Sequence, residues 1–418
     1  GVYNTHLVSY YPEGELPASV NTLADEDLPL FTPRNQILYS NPVNTKNDNP
    51  RIFLKSILKP LKGLEAVFEY TFDKNIYDYH WYTGQYDYTT IQGGSSKSFV
   101  DDYLRKYKQH TNYNSINVYA TYNKDFGNHH FKVMAGFNQE SSYQETLDTY
   151  SYNQAVLDVP AMSSGTGTIK ATDSYSEYAI RGGFFRVNYN YLDKYLLEVN
   201  GRYDGSSKFP KSSRFGFFPS VSAGWQIAQE RFMNSTRHWL DGLKLRASYG
   251  VIGNQNINPY TFTPSMSVNN KATSWIIDDT YVTSISSLPA LVSQNFTWEK
   301  VGTINVGLDV NLFNNRLSGV FEWYQRNTNG MLAPGVQLPA VVGASAPYQN
   351  TADMRTRGWE LSLNWRDQIG KVGYRIGFNL SDYKSEIIKY DDNAATKLLS
   401  SYYPGQTLGE VWGYVVDG

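Results

Sequence analysis

The feature that most constrains this chain is an alternation of period two in which one side never carries a charge. In GWELSLNWRDQIGKVGYRIGFNLSDYKSEI, residues 358–387, Trp359, Leu361, Leu363 and Trp365 alternate with Glu360, Ser362, Asn364 and Arg366. After a short turn, Tyr374, Ile376, Phe378 and Leu380 alternate with Arg375, Gly377, Asn379 and Ser381. Successive side chains of a strand point to opposite faces, so each segment reads as a strand with one apolar and one polar side. The apolar side must lie against a second sheet, a helix layer or lipid.

The pattern recurs. Apolar rows run over Leu64–Phe72, Ile116–Tyr122, Phe131–Phe137, Phe185–Tyr191, Tyr195–Tyr203, Phe215–Trp225, Leu243–Tyr249, Ile304–Leu312 and Leu317–Trp323, which with the opening pair makes eleven expected strands. The opposite sides carry Glu65, Glu69, Lys132, Arg186, Glu198, Arg202, Lys244, Arg246, Asp309, Glu322, Glu360 and Arg375. A charge facing lipid costs ~2–4 kcal/mol at the midplane, which removes charges in this way. The inner face of a soluble sandwich is uncharged too, so alternation alone leaves both architectures open.

The connections separate them. KPLKG (59–63), GNHH (127–130), LDK (192–194), FNNR (313–316) and DQIGK (367–371) are short, whereas 73–114, 144–178, 251–297 and 328–356 are long. The two kinds alternate, with 204–213 and 228–242 intermediate. In an antiparallel meander this places tight turns on one rim and large loops on the other, as in outer-membrane barrels with short periplasmic turns and long extracellular loops. The eight steps from Tyr195 to Tyr203 span about 27 Å along a strand, or about 21 Å vertically at a tilt of ~40°, near the ~25 Å apolar band of such barrels.

Composition agrees. Charged residues make up 18% and aromatics 15%, with 35 Tyr and 9 Trp, a balance suited to aromatic girdles. The net charge of −2 gives no reason to expect nucleic acid. Cysteine is absent, which excludes disulfides, thiolate metal sites and Cys nucleophiles. No apolar run approaches the ~18 residues of a membrane helix. The amino terminus, GVYNTHLVSYYPEGELP, has no basic segment followed by an apolar stretch. The expected fold is thus all-β, an antiparallel transmembrane barrel segment.

Several stretches carry a family resemblance. VNYNYLDKYLLEVNGRYDGSSKFPKSSRFGFFPSVSAGWQIAQERFM (187–233) resembles the barrel of SusC/RagA-like TonB-dependent outer-membrane transporters. So do LKLRASYGVIGNQNINPYTF (243–262), FTWEKVGTINVGLDVNLFNNRLSGVFEWYQRNTNGML (296–332) and TRGWELSLNW (356–365), while GQTLGEVWGYVVDG (405–418) is similar to the approach to a late loop. The resemblance runs from about Asn49 onward. It implies a 22-stranded barrel around an amino-terminal plug, of which residues 1–418 would be about half the barrel domain, the plug and closing strands lying outside them. It also implies import of oligosaccharides or peptides across the outer membrane of a Gram-negative cell. The implied partners are a SusD-like surface lipoprotein as lid and a TonB complex that supplies energy. No catalytic role is implied. A soluble secreted β-rich module that binds or degrades glycans is the alternative.

Candidate sites are few. No nucleophile elbow, phosphate loop or zinc signature occurs, and GTGTIK (165–170) lacks the third glycine of a dinucleotide loop. His129 and His130 are adjacent in a turn and expected to diverge, so no metal site is assigned. No cofactor is expected, although acid pairs at Asp101–Asp102, Asp278–Asp279 and Asp391–Asp392 leave loop calcium open. YDYHWYTGQYDYTT (77–90) offers Tyr79, Trp81, Tyr86 and Tyr88 as substrate contacts, with Tyr260 and Trp275 in a later loop. Flat aromatic faces stack on sugar rings; girdle or loop packing is the plainer reading. Tyr195, Tyr203, Trp225, Trp323, Trp359 and Trp365 are expected to face lipid as girdle residues. Residues 228–244 are read as a helical turn with Phe232, Trp239 and Leu240 anchoring at the periplasmic boundary. Arg202 and Arg246 are expected to contact the plug or pair with nearby acids.

Overall fold

The computed structural model describes residues 43–84, 102–156, 159–265, 296–335, 338–343, 346–390 and 402–411, with short pieces at 87–89, 95–97, 268–269, 276–277, 280–281, 284–285, 291–293 and 413. Its main sheet has thirteen strands. In chain order these are β1 (Asn44–Asp48), β2 (Arg51–Leu61), β3 (Leu64–Thr83), β4 (Tyr103–Phe126), β5 (His129–Tyr152), β6 (Ile169–Tyr191), β7 (Tyr195–Ser206), β8 (Phe215–Gln226), β9 (Leu240–Asn254), β10 (Glu299–Leu312), β11 (Leu317–Pro334), β12 (Tyr348–Ile369) and β13 (Val372–Tyr390). Sequence neighbours are sheet neighbours from β3 to β13, and β1 and β2 both pair with β3. The turns are tight where expected: Gly127 and Gly370 take φ of 59° and 62°, the left-handed conformation that two-residue hairpin turns require.

All eleven expected strands are present, and β1 and β2 are added. β1 lies on β3 from Asn44↔His80 to Asp48↔Ile76. β2 shows less clear alternation because it is apolar on both sides, with Phe53 and Ile57 between its cations and Leu61 after the last of them. Lys55 pairs with Glu69 at 2.8 Å and Lys59 with Glu65 at 3.3 Å, while Arg51 Nε donates to Asp73 Oδ2 at 2.7 Å.

The long connections are shorter than expected. β3 continues to Thr83 and β4 starts at Tyr103, β5 and β6 reach Tyr152 and Ile169, and β11 and β12 reach Pro334 and Tyr348. The reason is physical. Alternation in sequence needs unlike surroundings on the two faces, and where both faces meet water a strand keeps its hydrogen bonds but loses its pattern.

The chain divides into two compact units, one of residues 1–53, 71–114 and 142–177, the other of 54–70, 115–141 and 178–418. In the second unit the registers bring the apolar rows into line. Tyr189 faces Leu197, Leu197 faces Ala223, Ala223 faces Ala247 and Ala247 faces Val306. Val306 faces Trp323, Trp323 faces Trp359, and Leu361 faces Leu380. This face is open: Val306 is 40% and Phe321 44% exposed, and Leu308 and Leu361 are half-buried.

The opposite face is knit by charge. Arg246 Nε reaches Asp309 at 3.2 Å and its Nη2 bonds Glu322, whose other oxygen accepts from Asn305 at 3.1 Å. Arg246 crosses to these acids over Gly307, where a Cβ would sit 2.6 Å from its Cζ. Arg202 is bidentate to Asp204 at 2.9 Å. Of the two roles expected for these arginines, the structure shows pairing with nearby acids.

Among the described residues the second unit has one small closed core, of Phe209, Phe218, Phe296 and Trp298. Phe218 alternates with the apolar row of β8, so this core lies on the polar face. Trp298 Nε1 donates to Arg214 O at 2.8 Å, and Asn350 takes Thr297 N at 2.8 Å while donating to Thr297 O at 3.0 Å. These bonds tie the chain before β8, before β10 and at the start of β12 together.

Candidate functional site

In the first unit, three stretches of strand place rings at every second residue: Tyr77, Tyr79 and Trp81 on β3, Tyr103 and Tyr107 around Arg105 on β4, and Tyr150 and Tyr152 after Asp148 on β5. Alternation puts each set on one face, and aromatic residues suit the extended backbone. The sets meet. Trp81 packs edge-on to Tyr103 at 5.6 Å between centroids, and Tyr77 to Tyr107 at 5.9 Å. Tyr103 lies 5.6 Å from both Tyr150 and Tyr152.

Arg105 organises the group. Its Nε and Nη2 donate to Asp148 Oδ1 and Oδ2 at 2.9 and 2.8 Å, a bidentate fork. Its guanidinium lies 5.4 Å from the Tyr79 ring centre, 5.7 Å from Tyr107 and 5.3 Å from Tyr150. Each ring's negative face meets the cation. Asp148 holds Arg105 firmly protonated. Burial, then neighbouring phenols, pushes the Tyr103 hydroxyl above its usual range; burial and the Asp148 charge do the same to Tyr150. Tyr103 and Tyr150 are therefore neutral donors and acceptors at physiological pH.

Two of the six expected contact residues, Tyr79 and Trp81, are thus brought into one cluster. Counted by twos along β3 they fall with Glu65 and Glu69, not with the apolar row that a girdle requires. Tyr88 lies in a short strand, Asp87–Thr89, paired with Ser95–Lys97. Tyr260 belongs to the second unit, at φ 64° and 46% exposed. Tyr86 and Trp275 lie outside the described residues, as do Asp101, Asp278, Asp279, Asp391 and Asp392. Tyr103, Arg105, Tyr107, Asp148, Tyr150 and Tyr152 were not anticipated. Their own period-two spacing in YLRKY and DTYSY was the available signal, hidden because both stretches read as loop.

At the short-turn rim, Glu230 gathers three donors: Tyr195 Oη at 2.6 Å, Trp225 Nε1 at 3.1 Å and Lys194 Nζ at 3.0 Å. Tyr195 and Trp225 stack at 6.5 Å and 13°. The Tyr195 hydroxyl above all, then Trp225 and Lys194, holds the Glu230 carboxyl down at about 2. The residues around Glu230 form two 3-10 turns, Ile227–Gln229 and Arg231–Thr236. Phe232 and Trp239 are exposed as an anchor requires, but Leu240 is only 5% exposed because it opens β9. Tyr203 stacks on Phe215 at 5.3 Å and Trp359 on Phe321 at 6.5 Å, while Trp323 is exposed beside Trp359; Trp365 Nε1 donates to Tyr374 Oη at 3.4 Å. His129 Nδ1 meets Tyr189 Oη and His130 Nδ1 meets Asp125 Oδ1, each at 2.8 Å, so the two rings turn to different partners.

A single antiparallel sheet, apolar and open on one face, ion-paired on the other, with tight turns on one rim, is the wall of a transmembrane β-barrel. Comparison with known proteins gives the family. A family model described as TonB dependent receptor-like, beta-barrel, matches residues 8–413, and the chain belongs to that family of outer-membrane proteins. TonB-dependent receptor P3 of Formosa agariphila is 30% identical over 355 residues, covering 80% of this chain and 34% of that protein. TonB-dependent receptor SusC of Bacteroides thetaiotaomicron is 32% identical over 283 residues, 66% of this chain and 27% of that one. The RagAB peptide importer in its open-open state shares the fold, with a TM-score of 0.75 at 24% identity over 90% of this chain and 40% of its own. The chain thus spans about a third of the length of these curated relatives.

Proposed function

We propose that this chain is part of the barrel wall of a SusC/RagA-like importer that takes up oligosaccharides or peptides through the outer membrane. The observation that carries the reading is the division of one sheet into an open apolar face and a charge-paired face. Lipid would cover the first. The second would enclose a plug supplied by another part of the longer protein. A groove of about 610 Å³ on that side, lined by Lys132, Glu198, Ser222, Gly224, Lys244 and Arg246 among others, gives a plug both charge and small-residue clearance. The loop-side strand extensions would receive substrate and a SusD-like lipoprotein lid, and a TonB complex would supply energy through the plug. Tyr195, Trp225 and Trp365 would form the periplasmic girdle, with Tyr203, Trp323 and Trp359 the outer one.

The soluble alternative does not fit the family or the exposed rows. A test of import uses cells carrying the full-length gene. Uptake of the cognate nutrient should disappear on deletion of the gene and on depletion of the TonB complex, and a surface lipoprotein should co-purify. Uptake that persists in both backgrounds would contradict the reading.

A further inference from the structure

We propose that the aromatic face around Arg105 is a binding wall for uncharged saccharide rings, an inference that rests on the import reading above and narrows its substrate. The first observation concerns unused polar groups. The hydroxyls of Tyr77, Tyr79 and Tyr103 and the indole N–H of Trp81 make no hydrogen bond to another described residue, although all four side chains are half-buried. Half-buried donors in one cluster are ordinarily met by a partner or ordered water. A polyhydroxylated ring supplies such partners around its rim, while its axial C–H groups lie on the aromatic faces.

The second observation concerns charge. The only guanidinium in the cluster is committed to Asp148 by two bonds and covered by three tyrosine rings. It positions rings and is not available as a fork for a carboxylate or sulfate. Lys170 stands at the margin, 4.9 Å from the Tyr152 ring centre and 3.4 Å from its hydroxyl oxygen. Among the described residues nothing else in the cluster recognises a negative ligand, so an anionic sugar gains little over a neutral one.

The third concerns backbone. An extended peptide is held chiefly by a row of free main-chain donors and acceptors at a sheet edge. Here β4 and β5 have sheet neighbours on both sides, and β1 covers the outer side of β3 over Ile76–His80. The wall presents side chains alone, and it does so from paired strands, which hold geometry better than loops.

The test uses the full-length transporter purified in detergent. Calorimetry measures binding of neutral gluco-, manno- and xylo-oligosaccharides, of oligogalacturonate, and of a defined mixture of short peptides. The wild type should bind at least one neutral series, and Trp81→Ala and Tyr103→Ala should each weaken that binding tenfold or more. Trp81→Phe should recover most of it. Arg105→Lys should weaken it severalfold, because a lysine cannot keep both the fork and the three ring contacts. Heat-modifiable migration of each variant establishes that the barrel has assembled, and Tyr103→Phe, which keeps the ring, serves where the alanine variant does not assemble. Neutral-sugar binding unchanged in the assembled Trp81 and Tyr103 variants, binding of oligogalacturonate or peptide alone, or binding of none of these would overturn the wall. Energy-dependent uptake of another nutrient alongside any of those outcomes would leave the import reading standing; binding as expected without uptake would count against import alone.

Discussion

Leu363 and Asn364 are chain neighbours with opposite surroundings. Leu363 lies in the apolar row between Gly319 and Phe378, and Asn364 lies on the other face between Ser318 and Gly377. An arginine at a midplane lipid-facing position costs roughly 2–4 kcal/mol, so Leu363→Arg should cut the yield of assembled, heat-modifiable full-length protein at least tenfold. Asn364→Arg should leave that yield within about twofold of wild type. Glu230 offers a second test at this scale. Its hydrogen bonds favour the ionised form, so its folded pKa of about 2 lies below the ordinary carboxylate value of 4.5. The stabilisation is therefore fully present above pH 4.5 and is lost as the pH falls from there toward 2. The fluorescence contributed by Trp225, obtained by difference against Trp225→Phe, should change across that interval. In Glu230→Gln the same signal should be flat; an unchanged transition there would assign it to another group.

At the scale of the element, the sequence was legible where the two faces of a strand meet different media. The rows from Phe185 to Trp225 and from Ile304 to Leu380 all fall inside strands, on one face, in matching register. Beyond them the strands continue through residues such as Tyr103–His110 and Gln144–Tyr152, with polar and aromatic side chains on both faces. That is why Arg105 and its tyrosines were hidden: they sit on β-strand, but strand without a greasy side. Their cross-strand meeting depends on register, which no single stretch encodes. The core around Phe209 and Trp298 was equally illegible, being assembled from segments 83 to 84 residues apart in the chain. It yields an element-level prediction. Asn350 holds both Thr297 backbone groups and Gly330 O, so Asn350→Ala should accelerate limited proteolysis between β9 and β10 severalfold while the barrel stays heat-modifiable. Unaltered cleavage would mean that the aromatic core alone holds that connection.

For the whole molecule, two of the sheet's edge strands matter most. β2 is exposed along its length and β13 nearly so, with Leu58 at 64% and Tyr383 at 69%. A sheet edge open to lipid leaves backbone groups unpaired at several kcal/mol each. On the import reading proposed above, both edges are paired by further strands when the wall closes, and cross-linking from β2 and β13 in the full-length protein should capture them. Capture of neither edge would contradict a closed wall.

The most direct test of the account asks what touches the two faces. The chain contains no cysteine, so spin labels can be placed one at a time at Val306, Leu308, Phe321 and Leu361, and at Asn305 and Ser362, in full-length protein reconstituted in lipid. The first four should be relaxed strongly by oxygen, which partitions into lipid, and weakly by a water-soluble nickel chelate; the latter two should show little response to oxygen. Val306 and Phe321 labels that respond to neither reagent, as in a dry protein interior, or that respond mainly to the nickel chelate, would contradict a lipid-facing wall.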